Sequence, residues 1–97
     1  MAPSTEADLA ALLAQTETAH GAYEARELGG RRDDDWATWY AAYLLEHGLP
    51  GLLGGARPPT AADLGAVLAR LDADYRRDRP PETWPAYYAQ RIVSAFG

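Results

Sequence analysis

His20 and Glu24 stand four residues apart, so on a continuous helix an imidazole and a carboxylate share one face. His47 is the only other histidine. Two imidazoles and a carboxylate are donor types of an open metal site, with the phenols of Tyr23, Tyr40 and Tyr43 close in sequence. The same His20–Glu24 pair has the groups for moving a proton. Spacing argues against the metal. His20 falls about fifteen residues along its helix and His47 about twelve along the next, so in an antiparallel hairpin their axial separation exceeds roughly 12 Å. The expectation is no metal and no cofactor. His20 should sit at the edge of an aromatic cluster, hydrogen-bonded to a tyrosine or a carboxylate.

Other reaction chemistries find less to work with. The chain has no cysteine, and its two serines, Ser4 and Ser94, lie at opposite ends. A nucleophile needs a base held against it, and no spacing here proposes one. GLLGGARPP at residues 51–59 lacks the lysine and the following helix of a phosphate-binding loop. The residues lean against an enzyme.

The element that must position this chemistry is DDDWATWYAAYLLEHG, residues 33–48, which holds two of the three tryptophans and two of the six tyrosines. Trp36, Trp39, Tyr40, Tyr43, Leu44 and His47 recur at steps of three and four, along one broad helical face. Asp35 is placed to cap the helix, since an Asp side chain accepts from an early backbone N–H and suits the positive end of the dipole. Asp33 and Asp34 are expected to complete a solvated cap. Gly48 can take the left-handed conformation that ends helices, and Pro50 follows. Large rings supply the bulk that so short a chain needs, so these aromatics are expected mainly in the core.

Three further helices follow from the same signals. Thr5 and Asp8 open a long amphipathic helix that places Leu9, Leu12, Leu13, Thr16, His20 and Tyr23 on one face and ends before Gly29-Gly30. Gly21 is its weak spot, where the helix can bend or end. Thr60 caps another helix, with Leu64, Val67, Leu68, Leu71 and Tyr75 inward, and Pro80-Pro81 breaks it. The last carries Trp84, Tyr87, Tyr88 and Ile92 inward; Pro85 is tolerated in its first turn, where the missing N–H had no partner. The expected spans are 6–28, 35–47, 60–77 and 83–95. Residues 1–4 read as a loose tail.

The two halves resemble each other. TEADLAALLAQ (5–15) and TAADLGAVLAR (60–70) agree at seven of eleven positions at an offset of 55. WATWYAAY (36–43) lies over WPAYYAQR (84–91) with Trp36 on Trp84, Tyr40 on Tyr88 and Ala41 on Ala89. Two such hairpins each expose one apolar stripe and can bury it against the other. The fold expectation is therefore an all-α, four-helix bundle-like single domain over residues 1–97. It is built from two duplicated helical hairpins with pseudo-two-fold symmetry, with halves near 5–48 and 60–96 and a linker at 49–59. Polar residues found in one half only concentrate in the first, which points there for a site.

Composition narrows the partners. Net charge is −5, and every basic residue is an arginine. A nucleic-acid binder would present a basic stripe, so no nucleic acid is expected. No apolar run approaches the ~20 residues of a membrane span, the polar faces are acidic, and the N-terminal residues lack a signal-peptide pattern. A cytoplasmic protein without a membrane partner is the expectation.

HGAYE, then DWATWYAAYLLEHG, resembles a pattern HGxYE … DWxxWYAxYL of uncharacterised small helical proteins of high-GC bacteria. The resemblance covers about the first half and implies a helical fold and bacterial origin, with no activity attached.

Two functions of different class fit these residues, and the first is the expectation because it needs no cavity in so small a core. The first is a non-enzymatic interaction module, a helical bundle pairing with itself or with a partner protein through apolar residues such as Leu52, Leu53 and Phe96. The second is a small-ligand binder using the aromatic cluster. In either, the candidate binding residues are His20, Glu24, Trp36, Trp39, Tyr40, Tyr43 and His47.

Overall fold

Each stretch with helical apolar spacing folds as a helix, and a fifth, shorter helix lies among them. The computed structural model describes residues 5–54 and 58–96. Its helices are α1 (Thr5–Glu27), α2 (Trp36–Glu46), α3 (Leu49–Leu53), α4 (Ala61–Asp78) and α5 (Trp84–Phe96). No strand occurs among the described residues, and the class is all-α. The four long helices match their expected spans to within a residue or two at each end. The tail at residues 1–4 lies outside the described residues.

Local chemistry accounts for most of the boundaries. The Thr60 hydroxyl accepts from the Asp63 N–H at 3.1 Å and starts α4. That helix ends as Arg79 turns left-handed (φ 46°) and donates its N–H to the Tyr75 carbonyl, with the two prolines beyond. The start of α2 differs from expectation, because Asp35 makes no side-chain cap. Its carboxylate accepts the Thr38 hydroxyl at 2.8 Å, while its own N–H donates to Asp33 Oδ1 at 2.9 Å. Asp33 has taken over the local backbone and holds Asp35 in the turn.

The expected linker is not all linker. Gly48 (φ 112°) and Gly54 (φ 66°) both take the left-handed conformation, and between them LPGLL forms α3. Leu49 is fully buried, with α3 packed on α1 and α2.

The helices cross-pack: α1 lies chiefly against α5, and α2 chiefly against α4. Contacts inside each hairpin, α1 with α2 and α4 with α5, are smaller. Leu9, Leu13, Leu44, Leu64, Leu68 and Ile92 are fully buried where these pairs meet. Close approach of α2 and α4 uses small residues. A Cβ on Gly65 would lie 3.7 Å from the Ala37 carbonyl oxygen and 4.0 Å from the Ala41 Cβ. No helix among the described residues is long and apolar enough to cross a membrane.

Gly21 neither ends nor interrupts α1, and a Cβ there would meet nothing within 4 Å. Gly21→Ala should therefore stabilise the chain by about 0.5–1 kcal/mol, by removing backbone freedom from the unfolded state. Chemical denaturation would show a higher midpoint at unchanged slope. A lower midpoint would mean that the α1 backbone is bent at this residue.

Candidate functional site

The broad aromatic face of α2 divides into two stripes. Trp36, Tyr40 and Leu44 follow one four-residue row, and Trp39, Tyr43 and His47 another, roughly 60° away around the helix. The second row stacks on itself. Ring centroids are 5.3 Å apart for Trp39–Tyr43 and 3.8 Å for Tyr43–His47, with Tyr23 of α1 set against Trp39 at 5.4 Å. Gln15 Nε2 donates to the Tyr43 hydroxyl at 2.7 Å, and exposed His47 donates from Nδ1 to the Tyr43 carbonyl at 2.8 Å. This row braces α2 against α1.

His20 stands between the two rows, 6% exposed, with its ring 5.0 Å from Trp39 and 5.2 Å from Tyr40. A carboxylate does hold it, and that carboxylate belongs to Asp33: Nε2 donates to Oδ2 at 2.9 Å. Nδ1 faces Glu24 at 3.9 Å, and Glu24 Oε2 accepts the Asp33 N–H at 2.7 Å. The connection turns back to reach this place. Gly29 and Gly30 are both left-handed (φ 62° and 85°), and the Gly30 N–H donates to the Glu24 carbonyl. Asp33 is thus no solvated cap, its side chain being only 14% exposed. The His20 bond draws its carboxyl below the usual carboxylate value, against an opposing push from burial, with help from the Asp35 N–H.

The first row of α2 opens on a cleft of about 480 Å³. From the first half of the chain His20, Glu24, Trp36 and Tyr40 line it, together with Glu17, Arg32 and Asp33. The second half supplies Asp72, Tyr75 and Arg76 from α4, and Trp84 and Tyr88 from α5. Of the seven residues singled out by sequence, four meet here; Trp39, Tyr43 and His47 belong to the bracing stack instead. Trp84, Tyr88, Asp72 and Asp33 were not singled out. The signal for the first two was present, since they align with Trp36 and Tyr40 when the two halves of the sequence are compared.

Tyrosines, more than tryptophans, fill the interior. Tyr40, Tyr87 and Tyr88 are buried, whereas Trp36, Trp39 and Trp84 are half-buried. The Tyr40 ring lies 5.2 Å from Trp36 and 6.4 Å from Trp84, and Trp84 lies 5.1 Å from Tyr88, edge to face. The Tyr88 hydroxyl donates to Asp72 Oδ1 at 3.4 Å, an oxygen that also accepts from Arg76 Nε at 3.2 Å. Burial, then the carboxylates of Glu17, Glu24 and Asp72, push the Tyr40 phenol up to about 12. Burial and Asp72 push Tyr88 up as well.

No family model, no curated protein and no solved structure matches the chain.

Two pH responses follow. Asp33 has a lowered folded-state pKa, so below the ordinary value of 3.8 the unfolded chain binds more protons than the folded one. Its contribution to stability is present above that value and is lost as pH falls through the depressed one. Asp33→Asn should lower the melting temperature at neutral pH, and the gap to the parent should close in acid below 3.8. A gap independent of pH would remove the carboxylate from the explanation. At the other end, unfolded Tyr40 releases its proton near 10 and folded Tyr40 near 12, so stability drains away between those values. Tyr40→Phe should flatten part of that alkaline decline in thermal melts, and an unchanged decline would count against a buried phenol.

Proposed function

We propose that the chain is a small-ligand-binding protein, with the aromatic cleft as its binding site and a frame of two duplicated hairpins. The cleft carries this reading. Its volume of about 480 Å³ lies in the range of small-molecule sites, and half-buried indoles offer apolar surface beside a few convergent polar groups. Residues paired by the repeat have like surroundings, which supports the duplication. Leu9 and Leu64, Leu13 and Leu68, Ala41 and Ala89, and Leu44 and Ile92 are all fully buried. Trp36 and Trp84 both border the cleft, as do Tyr40 and Tyr88. The dominant pairings, α1 with α5 and α4 with α2, exchange under the same correspondence.

Self-association draws less support. Leu52, Leu53 and Phe96, the apolar residues that suggested an interface, are partly buried and packed against the core. Catalysis draws less as well. The His20 ring donates to one carboxylate and faces another, so neither nitrogen is turned to a substrate proton.

The test is a titration followed in proton–nitrogen correlation spectra. The probes are a panel of neutral, cationic and anionic compounds of small aromatic and branched aliphatic type. Saturable shifts of the Trp36 and Trp84 indole N–H signals are expected, with Trp39 outside the cleft as internal control. Saturation by no member of the panel would overturn ligand binding. A concentration-dependent dimer whose formation shifts those same two indoles would restore the interaction module in its place.

A further inference from the structure

We infer that the cleft takes a small alkylated organic cation, of the quaternary-ammonium class, seated against Trp36 and Trp84 beside Glu17. This rests on the ligand-binding reading above and adds the chemistry of the ligand. Three observations lead to it.

The first is the walls. The Trp36, Tyr40, Trp84 and Tyr88 rings border one cleft, and indoles are the strongest partners for a cation over an aromatic face. The fold already uses that contact elsewhere, with the Arg91 guanidinium 3.6 Å from the Tyr87 ring centroid.

The second is the charge. Four carboxylates against two guanidinium groups leave the lining acidic. Arg76 is paired with Asp72 through Nε at 3.2 Å, which offsets its charge at the cleft. Arg32 is the remaining cation, on the exposed rim. Burial is the larger cause of the raised Tyr40 pKa, and the carboxylates of Glu17, Glu24 and Asp72 add to it.

The third is the balance of ring surface against acceptors, which favours an alkylated cation over a primary amine. Both Asp33 oxygens are engaged, by His20 and by the Asp35 N–H, whereas Glu24 is engaged through Oε2 alone and Asp72 through Oδ1 alone. Among the described residues lining the cleft, Glu17 is the carboxylate that these bonds leave unengaged. A primary ammonium brings three N–H donors that need partners when buried, whereas a quaternary one brings methyl groups that pack on rings. Four aromatic rings around the cleft, with both indoles half-buried, fit the second.

The experiment uses three probes of one shape on the full chain: choline, its neutral carbon isostere dimethylbutanol, and the anion tert-butylacetate. Choline should saturate the Trp36 and Trp84 indole shifts at an affinity at least about tenfold above the alcohol, the scale of one desolvated cation–aromatic contact. The anion should bind more weakly still. Glu17→Gln, an exposed change, should weaken choline several-fold and leave the alcohol where it was. Trp84→Leu should abolish the preference for choline, and Trp36→Leu serves if that variant fails to fold by circular dichroism. Equal affinities for choline and the alcohol, or a preference for the anion, would overturn the cation while leaving a ligand cleft in place. If none of the three probes shifts the indoles, the inference falls, and the broader panel above decides separately whether any ligand binds.

Discussion

Two of the three buried phenols impose the constraint on which this structure turns. Tyr40 and Tyr88 are packed inside, at 8% and 4% exposure, yet each carries a hydroxyl that cannot be left dry without cost. Tyr88 answers by donating to Asp72. Among the described residues Tyr40 makes no such bond, and no buried side-chain nitrogen or oxygen there lacks a partner. Its hydroxyl therefore keeps access to solvent through the cleft that it lines. Filling that space with aliphatic side chains would strand the oxygen. The opening is thus tied to the core that surrounds it, and the half-buried indoles beside it are the rim of the same arrangement.

Most of the fold was legible because its signals are local. Thr60, Gly48, Pro80 and the leucine spacing each act within a turn or two, so α1, α2, α4 and α5 could be placed from sequence to within a residue or two. α3 could not, since LPGLL is too short to show a period and contains both residue types that mark a break. Its helical turn depends on Leu49 finding a buried seat, which is tertiary information. Asp35 failed as a side-chain cap for a related reason. The carboxylate two residues earlier holds its backbone, and nothing local ranks one of three consecutive aspartates above another.

The site was half legible. His20, Glu24, Trp36 and Tyr40 border one cleft, and sequence could group them because two of them share a turn spacing on each helix. Asp33 was missed because its bond to His20 spans thirteen residues and relies on two left-handed glycines to reverse the chain. Trp39, Tyr43 and His47 were grouped with the cleft because spacings of three and four merge into one face on paper. On the helix they are separate rows, and the partner that claims each row decides its role. The second half was discounted on the premise that a site lies with the polar residues found in one half only. Trp84 and Tyr88 show the weakness of that premise, since a residue can pack on one edge and line a cleft on the other.

In the duplicated-hairpin frame proposed above, this division has a physical sense. A repeated Trp–Tyr pair from each half gives a cleft two similar aromatic walls, and such walls supply contact area with little preference for orientation. Orientation has to come from what the halves do not share. His20 corresponds to Tyr75 in the repeat, and the two are anchored differently: His20 bonds the Asp33 carboxylate, while the Tyr75 hydroxyl donates to the Glu82 carbonyl at 2.8 Å. Glu17 corresponds to Asp72, but Asp72 is engaged by Arg76 and Tyr88. Equivalent positions thus carry a carboxylate on both sides and leave the charge unpaired on one. A ligand held by the aromatic walls would meet that imbalance directly, with its polar end drawn toward α1.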